Sequence, residues 1–300
     1  PVLVVMPILK KESPASVMRK TREQFRLEIN HSGFLFFQQR NRSGGRTTRD
    51  ELILKMADTI YRIAIRENGK MQKRLEAADP GKIRDDFRVE YRSAKPNIII
   101  PEADNPFFES EEWDYLCHWT RRSAGPFPGE TRYKYYESVD NSRESYSHSA
   151  FHALRRMLTQ NRILASSSGI KGKYRVISFN EAHPLDVLPN MKWNPARVRF
   201  SYEPYGLAIR KAALVKRGAR PVIYADKTKF QQLSAEDRPY FQYRGQNDQW
   251  PVECEWRIRG DLKLSELIPT NLIAITAWSS EAEELKQAFP GIQVHSFNKK

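Results

Sequence analysis

The segment 252–259 holds the densest set of residues that could do chemistry, and its apolar alternation is typical of a β-strand. Alternation places Glu253, Glu255 and Arg257 on one face of this strand and turns Trp256 and Ile258 to the other. A carboxylate on a rigid strand can orient a hydroxyl, stabilise developing positive charge or accept a proton. Glu255 is therefore the first candidate for a catalytic group, with Arg257 beside it. The alternative is a solvated Glu–Arg ladder.

Two other predicted strands carry paired polar side chains. His118 and Thr120 are two residues apart, so they face the same side and could bind one ligand. Ser178 and Asn180 likewise share one face of a strand, with Arg175 on the other, and could form the wall of a pocket. For both strands the alternative is a purely structural role.

The charge of the chain favours a polyanionic partner. The 300 residues contain 50 Lys and Arg against 36 Asp and Glu, which gives a net charge of +14. The first hundred residues hold 21 basic and 12 acidic side chains and so supply 21 − 12 = +9 of it. Such an excess is typical of proteins that bind nucleic acid through its phosphates, and we expect DNA as the partner. The alternative is a basic protein whose charge serves only solubility.

Basic residues concentrate in a glycine-containing loop at 40–46, and elsewhere they alternate with aromatic residues that could stack on bases. The side chains expected to contact DNA are Arg40, Arg42, Arg46, Arg49, Arg199, Tyr240 and Arg244.

The composition excludes several classes of protein. No apolar run approaches the length of about 20 residues that a membrane-spanning helix needs. Two cysteines are too few for a disulfide scaffold, which favours a reducing cytoplasm. Six histidines and two cysteines show no metal-ligand spacing, so no metal is expected. Because Cys254 and Glu255 are neighbours on a strand, they point to opposite faces, and Cys254 is expected in the core.

The pattern of elements predicts an α+β protein in two sections. Residues 1–112 are expected to be α-rich, with one helix opening at Ser13-Pro14 and a long helix from Thr48 to about residue 75. Residues 113–300 combine many short strands with three helices, at 149–160, 211–217 and 280–289, which predicts a curved or split sheet. Neither GxGxxG nor GxxxxGK[ST] occurs, so a doubly wound nucleotide fold is not expected.

The second section resembles the DarT-type ADP-ribosyltransferases, which modify nucleic-acid bases using NAD. The resemblance covers about 115–300. It depends on the His118-x-Thr120 strand, a following helix, the strand at 175–179, the Glu255 strand and the closing run IPTNLIAITAW at 268–278. It implies a split-sheet fold, a catalytic role for Glu255, and NAD binding by His118 and Thr120. The family has a short turn where residues 121–149 lie here, and its catalytic arginine has no assured counterpart.

Three functions are compatible with these residues. The first is transfer of ADP-ribose from NAD to a guanine-type base in DNA, with Glu255 as the central group. The second needs no NAD and hydrates the nitrile of 7-cyano-7-deazaguanine in DNA to the amide. There Glu255 would activate water, and Arg257 or His118 would supply a proton. The third is a non-catalytic nucleic-acid-binding module.

Overall fold

Residues 1–39, 45–91, 99–110, 112–142, 146–194, 199–244 and 254–298 are described by a computed structural model of the chain. The chain divides into two units. The first contains Pro1–Lys95 and Pro128–Glu137, and the second contains Pro96–Phe127 and Ser138–Lys300. The first unit thus ends earlier than residue 112 and includes a later segment of the chain.

In its described residues, the first unit contains helices, the last of which begins at Arg132, and two pairs of parallel strands. Its strands β1 and β2 pair in parallel from Val2 opposite Ser32 to Leu9 opposite Gln39. The later segment belongs to this unit through ring contacts in which Arg26 lies over Tyr133. The elements are β1 (Val2–Leu9), α1 (Pro14–Phe25), β2 (Ser32–Gln39), α2 (Gly45–Met56), β3 (Ile60–Tyr61), α3 (Lys70–Glu76) and β4 (Ile83–Arg84).

The prediction of one long helix from Thr48 to about residue 75 is wrong. α2 ends at Met56, β3 pairs with β4, and α3 begins only at Lys70. The intervening stretch is rich in β-branched isoleucine and favours extended backbone. Asn68 then adopts a left-handed conformation with φ 56°, which an asparagine before a glycine tolerates and a helix interior does not.

The second unit combines helices and strands, as the element pattern predicted, and it is built on one large mixed sheet. Its elements are β5 (Tyr115–Trp119), α4 (Arg132–Asp140, which begins in the first unit), α5 (Ala150–Thr159), β6 (Arg162–Ile163), β7 (Val176–Asn180), α6 (Pro184–Val187), β8 (Trp193–Asn194), β9 (Arg199–Phe200), β10 (Gly206–Arg210), α7 (Lys211–Val215), β11 (Arg220–Pro221), β12 (Ile223–Ala225), α8 (Lys229–Gln232), β13 (Phe241–Tyr243), β14 (Glu255–Arg259), β15 (Leu262–Lys263), β16 (Leu272–Thr276), α9 (Ser279–Ala288) and β17 (Gln293–Ser296).

The large sheet has seven strands in the order β11-β14-β7-β5-β10-β16-β17. All its pairings are antiparallel except that of β16 with β17. One face packs against α5, α7 and α9 in the larger apolar core. The other face forms a smaller core with α6, Phe108 and Phe297. Because both faces are covered, most side chains of the central strands are buried whatever their parity.

Local signals account for the helix at the centre of the larger core. Ser149 caps α5, since its hydroxyl accepts the backbone N–H of His152. Phe151, Leu154 and Leu158 recur at helical spacing and are buried. Within the described residues, no helix is both long enough and apolar enough to cross a membrane.

Candidate active site

The large sheet is least continuous between β5 and β7. On one side β7 pairs with β14 at five positions, from Glu255 opposite Asn180 to Arg259 opposite Val176. On its other side it pairs with β5 at a single position within the described chain, where Cys117 lies opposite Asn180. The two strands that carry His118 and Glu255 are therefore both neighbours of β7, one across the weak pairing and one across the strong one.

His118 bridges the weak pairing through its side chain. Its Nδ1 lies 2.9 Å from the carbonyl oxygen of Ser178 on β7, and its ring packs edge-on against Phe179. A carbonyl can only accept, so Nδ1 carries the proton and Nε2 of the neutral ring is an acceptor. Among the described residues, Nε2 has no hydrogen-bond partner.

Burial lowers the pKa of His118, and the nearby charge of Arg121 lowers it further. The hydrogen bond to Ser178 raises the pKa but does not outweigh burial. His118 is therefore neutral near pH 7, which suits an acceptor of a ligand hydroxyl and does not suit a resting proton donor. The predicted role of His118 as the acid in nitrile hydration loses support from this.

Thr120 does not face a ligand together with His118. It is buried, and its hydroxyl lies 2.9 Å from the carbonyl oxygen of Ala150 and 3.0 Å from that of Tyr205. A hydroxyl has one proton to donate, and both acceptors belong to the backbone. Thr120 therefore ties the end of β5 to the start of α5, which corrects its predicted part in binding NAD.

Glu255 is held by a bidentate pair with Arg257. Arg257 Nε lies 2.8 Å from Glu255 Oε1, and Nη2 lies 3.2 Å from Oε2. The rest of the guanidinium bonds the carbonyl oxygens of Pro239 and Phe241 and, at 2.7 Å, Oε1 of Gln242. The fork fixes the plane and direction of the carboxylate.

Arg257 cannot act as the predicted proton donor. It is 1% exposed, its Nε and both terminal nitrogens bond acceptors, and a guanidinium does not give up a proton in a protein. Its chemical role is to position Glu255. The alternative of a solvated Glu–Arg ladder does not apply to Arg257, because segment 239–242 covers this side chain.

Cys254 lies at the start of this strand in a different setting from the one predicted. It is exposed rather than in the core, and its backbone has φ 37°, in the left-handed region. Its carbonyl accepts the N–H of Glu181, which extends the ladder between β14 and β7. Glu253 lies outside the described residues.

His118 and Glu255 do not meet. By register, Glu255 shares a sheet face with Asn180 and Cys117, whereas His118 starts from the face that carries Phe179. No hydrogen bond joins the two side chains in the described part of the chain. They are the two flanks of β7 rather than a contacting pair.

The three residues predicted to form a pocket wall on β7 have different surroundings. Ser178 is exposed, and its carbonyl holds His118. Asn180 is buried opposite Glu255. Arg175 lies beyond the other end of the strand, where its Nη2 is 2.8 Å from Asp261, so it is not brought to the site.

The sequence reading missed a second charged group that spans three strands. Glu181 follows β7 and accepts both Lys211 Nζ, after β10, and Trp256 Nε1, on β14, the latter at 2.6 Å. Burial raises the pKa of Glu181, but the bonds from Lys211 and Trp256 outweigh it and leave the pKa below its usual value. Polar residues at three strand ends were the only available signal.

Of the four arginines predicted to contact DNA in the first unit, only Arg49 has a described side chain. Arg40, Arg42 and the side chain of Arg46 lie outside the described residues, and Arg49 pairs with Asp50 at 2.8 Å.

Of the others, Arg199 is half-buried in β9 and Arg244 is exposed after β13. Tyr240 is 5% exposed and donates its hydroxyl to the carbonyl of Gly218 at 3.0 Å. Its ring cannot stack on a base, so that prediction is wrong.

Comparison of the chain with protein-family models, with curated proteins and with solved structures finds no match. Among the described residues, no group of three or more His, Cys, Asp or Glu side chains is placed to hold a metal ion. The candidate site is therefore defined by its own chemistry, namely a positioned carboxylate and a neutral imidazole on either side of β7.

Proposed function

We propose that the chain is an NAD-dependent ADP-ribosyltransferase that modifies a guanine-type base in DNA. The observation that carries the proposal is the Glu255 carboxylate, fixed by a buried arginine on β14, whose neighbour β7 forms the weak pairing of the sheet. The resemblance of this strand and of the His118 strand to the DarT-type enzymes supports the same assignment. So does the net charge of +14, which favours a polyanionic substrate.

The side chains present fit parts of NAD. Nε2 of His118 offers a lone pair to a ribose hydroxyl. The Glu255 oxygens keep lone pairs beyond those that Arg257 uses and can accept a second hydroxyl. Thr120 does not fit, because its hydroxyl is already bonded to the backbone. When bound, NAD would supply an ADP-ribosyl group on a good leaving group, with positive charge developing on the ribose.

The role of Glu255 follows from its charge and its direction. A carboxylate aimed at a region of developing positive charge stabilises the transition state more than the ground state. Arg257 serves this by preventing the carboxylate from rotating, which preserves its orientation without reorganisation during the reaction.

Mass spectrometry of nucleosides from treated DNA tests the proposal. The protein is incubated with DNA with and without NAD, and Glu255→Gln is the matched variant. We expect a base that carries ADP-ribose only when NAD is present and only with the wild-type protein. A gain of one water on DNA containing 7-cyano-7-deazaguanine, without NAD, would replace the proposal by nitrile hydration. DNA binding with no product under either condition would leave a binding module.

A further inference from the structure

A second set of charged side chains lies beside the segment that Arg257 holds, where Lys171 Nζ is 5.3 Å from the centre of the Phe241 ring. Lys171 Nζ is 4.5 Å from the centre of the Phe230 ring, and Arg238 Cζ is 5.7 Å from the same ring. Lys227 Nζ is 4.9 Å from the centre of the Tyr243 ring. We call Lys171, Lys227, Phe230, Arg238 and Tyr243 the lysine–aromatic surface.

Within the described residues, the cations of this surface are not held in ion pairs. Lys171, Lys227 and Arg238 form no ion pair with any carboxylate in the described part of the chain. The two nearest acidic residues along the chain are engaged elsewhere. Asp226 accepts the backbone N–H of Thr228, and Asp237 pairs with Arg220 at 3.2 Å.

Local backbone geometry brings Lys171 against Phe230. Gly172 has φ 78°, and a Cβ there would lie 2.5 Å from the ring of Tyr174 and 3.2 Å from that of Phe230. Only glycine allows both the turn and the close approach. The Lys171 ammonium also bonds the backbone carbonyl of Lys227 at 3.3 Å, so the two residues lie near each other.

The surface is joined directly to Glu255. Tyr243 ends β13, and the two preceding residues, Phe241 and Gln242, supply acceptors to Arg257 at 2.9 and 2.7 Å. Arg257 in turn holds Glu255. One arginine therefore connects the candidate catalytic carboxylate to a surface of cations and rings in which Lys171, Lys227 and Tyr243 are exposed.

We propose that the lysine–aromatic surface binds single-stranded DNA next to the target base, with a base on Tyr243 and phosphates on Lys171 and Lys227. The Tyr243 ring is 40% exposed. A lysine over a ring has a flexible stem, so it can move to a phosphate and leave the ring face to a base. Rings interleaved with cations are typical of single-strand binding, whereas an anionic membrane would require charge alone. The inference depends on the proposed function for the identity of the substrate.

Equilibrium binding of the full chain to a labelled single-stranded oligodeoxynucleotide, over a range of salt concentrations and without NAD, tests the charges. The variant is Lys171→Gln with Lys227→Gln. Its matched control is Lys263→Gln with Lys286→Gln, which removes the same charge from the same unit. We expect the slope of log K against log salt to flatten by about 1.4 in the variant, from about 0.7 per lost phosphate contact. The control should keep the wild-type slope; equal slopes in variant and control would overturn the proposal.

A Tyr243 series tests the ring separately. Tyr243→Ala should weaken single-strand binding between about fivefold and about a hundredfold, the range for one stacked base, whereas Tyr243→Phe should keep the affinity. Loss in both variants would assign the effect to the hydroxyl and contradict stacking. Binding to anionic phosphatidylserine vesicles that is as sensitive to the lysine pair as DNA binding would identify a membrane surface instead.

These measurements separate the two proposals because they need neither NAD nor turnover. A protein that binds as expected and yet transfers nothing would contradict only the proposed function. If the lysine variant and its control transfer ADP-ribose equally well, only the proposal for the lysine–aromatic surface is contradicted.

Discussion

Two arginine–carboxylate pairs next to strand β7 are equally short but differ in burial. Arg257 to Glu255 and Arg175 to Asp261 both measure 2.8 Å. The first pair has side chains that are 2% and 14% exposed, and the second pair has side chains that are 60% and 32% exposed. Distance therefore does not distinguish them. The difference lies in how much water each pair has lost and in what else each arginine bonds.

Burial makes the first pair part of the architecture. Removing one member of a buried pair leaves an uncompensated charge in a poorly solvated place, whereas an exposed pair is rehydrated when it is broken. Arg257 also satisfies the carbonyl oxygens of Pro239 and Phe241 through buried hydrogen bonds, and these acceptors would lose their donor with it. We therefore expect the Arg257 pair to set both stability and chemistry, and the Arg175 pair to set neither.

Truncation of the two arginines gives the largest expected contrast. Arg257→Ala should lower the free energy of unfolding by about 3–5 kcal/mol, because Glu255 and two buried carbonyls lose their donor. Arg175→Ala should lower it by no more than about 1 kcal/mol. Chemical denaturation of the full chain measures both. Equal losses in the two variants would mean that the Arg257 site is hydrated and that burial does not separate the pairs.

Neutralising the two carboxylates moves the contrast from stability to chemistry. Glu255→Gln keeps size and removes charge, and we expect turnover on DNA to fall by about 10²-fold or more. Asp261→Asn makes the same change in the exposed pair and should leave turnover unaltered. Product formation per unit time under saturating NAD measures both. A comparable loss of turnover in Asp261→Asn would show that the position of Glu255 on its strand does not identify the active carboxylate.

The sequence predicted the second unit well because its signals are local. The Glu255 strand lies at Glu255–Arg259 within the predicted segment 252–259, and α5 lies within the predicted helix at 149–160. Apolar alternation and capping residues act within a few positions, so one chain suffices to read them. The prediction for the first unit was wrong at 57–69, because the apolar residues that recur there at near-helical spacing include β-branched side chains.

The site was less predictable because its partners are distant in sequence. Strand parity placed Glu255 and Arg257 together, but only the fold brings Pro239 and Phe241 over Arg257 and turns a possible proton donor into a positioning group. The same holds for Thr120, whose acceptors come from 30 and 85 residues away. A residue type predicts what a side chain can do, but its burial decides which of those roles remains.

Thr120 offers the same test of burial with a neutral hydrogen bond. Thr120→Val keeps the shape and leaves the carbonyls of Ala150 and Tyr205 without this donor, so we expect a loss of about 1–3 kcal/mol in the free energy of unfolding. The affinity for NAD, measured by titration calorimetry, should be unchanged. Thr120→Ser retains the hydroxyl and serves as the control for stability. A variant that folds normally and binds NAD poorly would restore Thr120 to the ligand site.

His118 gives the smallest contrast, visible only as pH dependence. Burial lowers the folded-state pKa of His118, so between the unfolded value of about 6.5 and that lower pKa only the unfolded chain takes up the proton. Stability should therefore fall as the pH drops from about 7 through this window, and it should level off below the folded pKa. His118→Gln cannot take up a proton and should show a shallower fall. Burial also lowers the pKa of His152 and of His295, so the variant removes one contribution of several.

Denaturation curves recorded across this pH range measure the difference between wild type and His118→Gln. Parallel curves for wild type and variant would mean that the imidazole beside Ser178 is hydrated, and the weak pairing of β5 with β7 would then be open to water rather than closed by His118.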